Sequence, residues 1–157
     1  INPEIIFILV GEGAEKRDIM HSASDMKVLN KNLFILDPIS KQDLAQLYFE
    51  CNMGSSFVID VKELWANSAN KFFDTLAAGK PILINHEGWQ KEEIIKENIG
   101  YVLPTDIKNN EVKKFANYCQ NESLIIKQRE NALKIAKSKY STYTAVTKYN
   151  KILKEIL

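Results

Sequence analysis

The densest run of chemically useful side chains is Ala66–Pro81, ANSANKFFDTLAAGKP. Asn67, Asn70, Lys71 and Asp74 recur at spacings of three and four, so they share one side of a helix and its entry loop. Phe72, Phe73, Leu76 and Ala77 are expected on the other side, packed on a sheet. The free amides near Ser68 to Lys71 and the Lys71 ammonium suit a phosphate group. Asp74, one turn deeper, can accept hydrogen bonds from paired hydroxyls such as those of a ribose. A solvated helix face would carry the same residues. Position favours the ligand, because in open α/β sheets ligands sit beyond the carboxyl ends of the strands.

The turn Gly11-Glu12-Gly13 is a second candidate. Glycines there let backbone approach a ligand, and a following helix N-terminus offers amides and partial positive charge. Asp37 would then suit the ribose of a dinucleotide. The G-x-G-x-x-G fingerprint breaks at its last position, however, where Lys16 stands in place of glycine and opposes close helix–strand packing. A tight turn without ligand accounts for the same residues. His86 reads either as a hydrogen-bonder to a donor ligand or as a loop residue packed on Trp89. His21 reads as a surface or half-buried residue. The chain has no G-x-S-x-G elbow, no triad spacing and no P-loop. Cys51 and Cys119 alone make neither a disulfide framework nor a zinc site and suit a reduced, cytoplasmic setting. Neither a metal nor a cofactor is expected.

Five short apolar runs must position these groups: Glu4–Val10, Leu33–Asp37, Ser56–Asp60, Pro81–Asn85 and Gly100–Leu103. Runs that are apolar throughout suit parallel strands covered on both faces. Helical patterns lie between them, over about 14–26, 40–51, 70–78 and 89–97. Ser40 and Asp43 form an S-x-x-D capping pattern, and Gly79 with Pro81 ends the third helix. The order β-α-β-α-β-α-β-α-β predicts a Rossmann-like, doubly wound parallel sheet of about five strands. The core spans about 4–104. A tail of two or three Lys-rich helices follows over about 110–157, the last with Val146, Tyr149, Leu153 and Ile156 on one stripe. That stripe either joins the core or docks on another part of a parent protein.

Composition narrows the field. The 157 residues are 45% hydrophobic and 26% charged, which is the make-up of one globular domain. Twenty-one Lys plus Arg against twenty Asp plus Glu argues against a nucleic-acid binder. Only Arg17 and Arg129 offer guanidinium forks. No apolar run approaches the roughly 20 residues that span a bilayer. Some tail lysines could face an anionic leaflet as a peripheral membrane contact. The chain opens on Ile1 rather than Met and reads as a piece of a longer protein.

The run Asn67–Pro81 resembles the nucleotide-binding helix of retaining GT-B glycosyltransferases. It is most similar to the family-4 bacterial enzymes that build surface polysaccharides, L-fucosamine transferases among them. Phe7–Gly13 and Asn32–Val58 resemble the strand, glycine turn and next strand–helix–strand of their C-terminal, donor-binding domain, so the likeness covers about 4–104. It implies that amides around Ser68 and Ala69 meet the donor diphosphate. Asp74 then stands where a Glu usually holds the ribose, and Pro38 and Ile39 flank the base. His86 to Trp89 lie near the sugar, and no divalent metal is needed. The family's sugar-contacting Glu, eight positions before the ribose carboxylate, is replaced here by Ala66. Its diphosphate-clamping Arg and Lys would lie upstream of residue 1, on a first βα unit beyond the N-terminal acceptor domain.

The expected function is therefore donor binding in a hexosyltransferase that moves a sugar from a UDP-linked donor to a glycan or lipid-linked acceptor. The fragment itself is expected to be inactive. Its sheet should either close around the missing unit or be completed by another chain, as in a homo-oligomer. Two alternatives remain from sequence alone: a nucleotide-sugar epimerase fragment of the same fold, and a non-catalytic α/β module that binds a partner protein.

Overall fold

The computed structural model describes residues 2–156. The five parallel strands are present in the expected order: β1 (Phe7–Val10), β2 (Leu33–Leu36), β3 (Gly54–Ser56), β4 (Ile82–Ile84) and β5 (Gly100–Val102). They are separated by α1 (Lys16–Asp25), α2 (Lys41–Glu50), α3 (Asn70–Ala77) and α4 (Trp89–Glu97). The tail forms α5 (Asn109–Cys119), α6 (Glu122–Ser138) and α7 (Thr142–Ile156). The strands make two sheets, β1-β2 and β3-β4-β5, with every pairing parallel.

Local chemistry sets the helix ends. The Ser40 hydroxyl accepts from the Asp43 amide at 3.1 Å and caps α2. At the end of α3, Gly79 takes φ +66°. Its N–H and that of Lys80 return to the carbonyls of Leu76 and Thr75, at 3.0 and 3.1 Å, which closes the helix in a Schellman turn. On α3, Phe72, Thr75 and Leu76 are buried, whereas Ala77 is exposed rather than packed on the sheet. At 100° per residue Ala77 points about 140° away from Phe72, and Thr75 falls on the buried face in its place.

The core sits on both faces of the three-stranded sheet. Ile82 and Ile84 face Phe72, Leu76, Ile94, Ile99 and Ala132. Leu83 turns the other way, toward Leu103, Phe115 and Tyr118. Burying a side chain such as Phe72 or Leu76 contributes about 1.5–3 kcal/mol. Helix α6 locks onto the sheet through Gln128. Its amide donates to Asn98 Oδ1 and to the Gly100 carbonyl, each at 2.9 Å, while its Oε1 accepts from the Tyr118 hydroxyl at 2.5 Å. No residue of α7 is buried, so its apolar stripe lies outside the core.

Two expectations about strands need correction. The third strand is not Ser56–Asp60 but Gly54–Ser56. Beyond it, Val58 is held by the Asn85 side chain, whose Oδ1 accepts its N–H at 3.0 Å and whose Nδ2 donates to its carbonyl at 2.9 Å. A side chain thus replaces the ladder that β4 would otherwise supply. The apolar run of β1 is also not covered on both faces, with Phe7 44% and Leu9 43% exposed. Its one strand partner among the described residues is β2. The upstream βα unit inferred from the sequence lies outside the described residues.

Candidate functional site

The entry to α3 has the features its sequence suggests. Ala69 occupies the N-cap and has no side chain to offer, so no side-chain hydrogen bond closes the helix. Asn67, Ser68, Asn70, Lys71 and Asp74 are exposed. Among the described residues, Lys71 and Asp74 take part in no ion pair. The first amides of an eight-residue helix, a lysine and a carboxylate therefore share one open surface.

This surface is held from below by residues that sequence reasoning missed. Gln90, buried in the first turn of α4, donates through Nε2 to the Asn67 carbonyl at 3.0 Å. Trp65 belongs to a 3-10 turn over Lys62–Ala66, and its carbonyl packs against Gly88. A Cβ at Gly88 would stand 2.7 Å from that carbonyl oxygen, and Gly88 has φ +96°. Glycine is thus required twice over, for conformation and for space. The only sequence signal for this support is a glycine between the fourth strand and a Trp-Gln pair.

His86 is 3% exposed, with Nδ1 2.7 Å from the Glu87 carbonyl oxygen. It is buried, whereas Asn67, Ser68, Asn70, Lys71 and Asp74 are exposed. Phe72, Phe73, Trp89 and Tyr140 form an aromatic cluster behind the α3 entry.

The second group of candidates gathers at the carboxyl ends of β1 and β2. Gly11 has φ +144°, and added Cβ atoms at Gly11 and Gly13 would meet open space. Lys16 reaches back between the strand ends and donates to Glu12 Oε1 at 2.7 Å and to Asp37 Oδ1 at 2.6 Å. The hydrogen bond to Asp37, then that to Glu12, raises the Lys16 pKa; Lys16 in turn lowers that of Asp37. Asp37 and Glu12 are well exposed, so solvent and salt weaken the cluster. Lys16 thus occupies the carboxylate that a dinucleotide ribose would need. Pro38 and Ile39 follow as exposed residues. No described hydrogen bond or ion pair joins this group to the α3 group.

A groove of about 700 Å³ between α4 and β5 is lined by Glu87, from the loop expected near the sugar, but by none of Gly11–Gly13, Asp37–Ile39, Asn67–Asp74 or His86. Among the described residues no cluster of three His, Cys, Asp or Glu could hold a metal. No helix there is long and apolar enough to cross a membrane. Cys51 and Cys119 are half-buried free thiols, and burial raises the pKa of both.

No protein-family model matches the chain, and no curated protein matches it. Solved structures do. The chain is similar to HepE from Anabaena, solved in complex with UDP, at 17% identity and TM-score 0.79 over 98% of this chain and 42% of that one. It is similar to WaaG, a glycosyltransferase involved in lipopolysaccharide biosynthesis, at 16% identity and TM-score 0.67 over 85% of this chain and 34% of that one. It is similar to the C-terminal domain of a group 1 glycosyltransferase, LpcC from Francisella tularensis, at 14% identity and TM-score 0.60 over 81% of this chain and 63% of that one. The chain spans about a third to two fifths of the length of WaaG and HepE. These likenesses show its fold, that of the C-terminal domain of GT-B glycosyltransferases.

Proposed function

We propose that the chain is the donor-binding domain of a retaining glycosyltransferase. Its donor is a nucleotide-diphosphate sugar, UDP-linked, and the acceptor is a glycan or lipid-linked sugar in surface polysaccharide synthesis. The observation that carries this reading is the uncapped, exposed start of α3, with Lys71 and Asp74 on the same side. The amides of Ser68 to Lys71 and the Lys71 ammonium hold the diphosphate. They stabilise the charge that develops on it as the sugar–phosphate bond breaks. Asp74 accepts hydrogen bonds from the ribose hydroxyls. The Gly11–Gly13 turn faces the diphosphate from the other strand group, Pro38 and Ile39 flank the base, and His86 supports the sugar end from below.

The acceptor site belongs to an N-terminal domain of the parent, and the remaining diphosphate cations to the first βα unit that follows it. The 157 residues alone bind donor weakly and transfer nothing. The parent acts in the cytoplasm, as a peripheral visitor to the inner membrane face.

UDP titration followed by NMR tests this reading. Shift changes are expected at Ser68–Lys71 and Asp74. Asp74→Ala should weaken UDP about 10–150-fold, the loss of one hydrogen bond to a charged group. Asp74 is exposed, so the fold should persist. Equal affinity in the variant sinks the ribose assignment. Shift changes confined to α7 would favour a partner-binding module instead.

A further inference from the structure

Between β3 and α3 the chain is gripped by the connection from β4 to α4. The Asn85 side chain holds Val58 at both its N–H and its carbonyl, at 3.0 and 2.9 Å. Gly88 packs on the Trp65 carbonyl, where an added Cβ would stand 2.7 Å away. Gln90 donates to the Asn67 carbonyl at 3.0 Å. These holds make the stretch before α3 a fixed platform rather than a free loop.

Within that stretch, Lys62–Ala66 forms a 3-10 turn, and the Asn67 N–H returns to the Leu64 carbonyl at 3.1 Å. In a 3-10 helix, side chains three residues apart eclipse one another. Glu63 therefore lies in line with Ala66, and Lys62 with Trp65. Leu64 and Trp65 are half-buried, whereas Glu63 and Ala66 are exposed and form the open face of the turn. Ala66 has only a methyl group, so it leaves clear the path from Glu63 to the loop that begins at Asn67. Among the described residues Glu63 takes part in no ion pair. Glu87, in the β4–α4 connection, is by contrast bound to Lys91 at 2.6 Å.

The donor-binding reading, on which this inference rests, gives the surface a direction. Asp74 holds the ribose, and the amides of Ser68–Lys71 hold the diphosphate. Beyond its diphosphate a nucleotide sugar continues to the sugar. Followed the same way, the chain reaches Ala66 and then Glu63, one 3-10 turn or about 6 Å further. The contact of Gly88 with Trp65 brings the loop that carries His86 to this same turn.

We propose that Glu63 is a sugar-binding, specificity-determining residue, whose carboxylate accepts hydrogen bonds from hydroxyl groups of the donor sugar. A carboxylate accepts and does not donate, so it selects sugars that present an O–H or amide N–H at that position. A deoxy carbon there would leave the carboxylate without its partner, and the sugar is rejected for that reason. The gripped turn holds Glu63 in place before the sugar arrives, which lowers the ordering cost of the contact.

NMR titration of the 157-residue chain with UDP, UDP-glucose, UDP-N-acetylglucosamine and UDP-N-acetylgalactosamine tests this. At least one of the UDP-sugars should shift the amides of Glu63–Ala66 where UDP alone does not. Glu63→Ala should weaken that UDP-sugar at least about tenfold and leave UDP within about twofold. Glu63→Gln keeps an acceptor without the charge, so its affinity should fall between. Asp60→Asn removes the same charge just outside the turn and should weaken neither ligand. Glu63 and Asp60 are both exposed, so every variant should keep the parent's melting midpoint. The proposal is overturned if no UDP-sugar shifts Glu63–Ala66, or if Glu63→Ala binds the UDP-sugar as tightly as the parent. It is also overturned if that variant weakens UDP and the UDP-sugar alike, the mark of a disturbed loop, or if Asp60→Asn has the same effect. UDP that leaves Ser68–Lys71 unshifted would instead remove the donor-binding reading, and this inference with it.

Discussion

The side-chain amide of Gln90 donates to the backbone carbonyl of Asn67 at 3.0 Å, across 23 residues of sequence. One buried residue at the start of α4 thereby fixes the loop that presents the first amides of α3. Gln90→Leu is expected to weaken UDP about 3–10-fold, the worth of one hydrogen bond that orders the loop. Stability should hold within about 1 kcal/mol, because Gln90 Oε1 is a buried acceptor with no partner in the protein and leucine removes it. Thermal unfolding and a UDP titration separate the two effects. A variant that binds UDP normally would show that the loop needs no such anchor.

Gly100 makes a different claim, about packing alone. A Cβ there would collide with the backbone of Ile82, including its carbonyl oxygen. Backbone in a paired strand cannot step aside as a flexible side chain can. Gly100→Ala is expected to cost about 3 kcal/mol or more, beyond the usual range for core overpacking because the strand itself must shift. Chemical denaturation measures it, and a cost below about 1 kcal/mol would mean that β4 and β5 part easily.

The aromatic cluster behind the α3 entry predicts where stability concentrates. Phe72 is fully buried, with ring centroids of Phe73 and Trp89 at 5.4 and 5.3 Å. Phe72→Ala is expected to cost about 3–5 kcal/mol, combining lost burial with a cavity. For a chain of this length the melting midpoint should fall by roughly 6–20 °C. A loss under about 1 kcal/mol would place the site on a softer support than this packing implies.

Sequence periodicity revealed the strand order, three of the first four helices nearly to the residue, and the polar side of α3, because each is a local pattern. The capping of α2 by Ser40 was visible for the same reason. What it missed depends on partners distant in sequence. The Asn85 side chain that ends β3 early, the Trp65 carbonyl that demands Gly88 and the Gln90 anchor under Asn67 each link residues 23 or more apart. His86 was placed correctly at a strand end, but burial cannot be read from one residue in a turn. Ala77 failed for a geometric reason, since smallness suggested packing while its angle on the helix faced solvent.

Alkaline pH supplies a further check. Burial is the first cause of raised pKa values at Tyr48, Tyr101, Tyr118 and Tyr140. Tyr118 also donates to Gln128, and Tyr140 to Glu93, which itself pairs with Lys139 at 2.5 Å. Each phenol therefore keeps its proton in the folded chain at a pH where the unfolded chain, near the ordinary value of about 10, has lost it. The folded state then binds more protons than the unfolded one, so stability falls as pH climbs past about 10. Lys80 opposes this trend. Burial lowers its pKa, so over its own window below 10.5 the unfolded chain binds more protons and stability rises with pH. Cys51, Cys119 and Lys16, whose pKa values are also raised, act in the same direction as the four tyrosines, and together they outweigh the one lysine. Tyrosinate absorbance from the buried phenols should rise together with loss of helical signal. Complete ionisation of all six tyrosines near pH 10 with the fold intact would show that Tyr118 and Tyr140 are open to water.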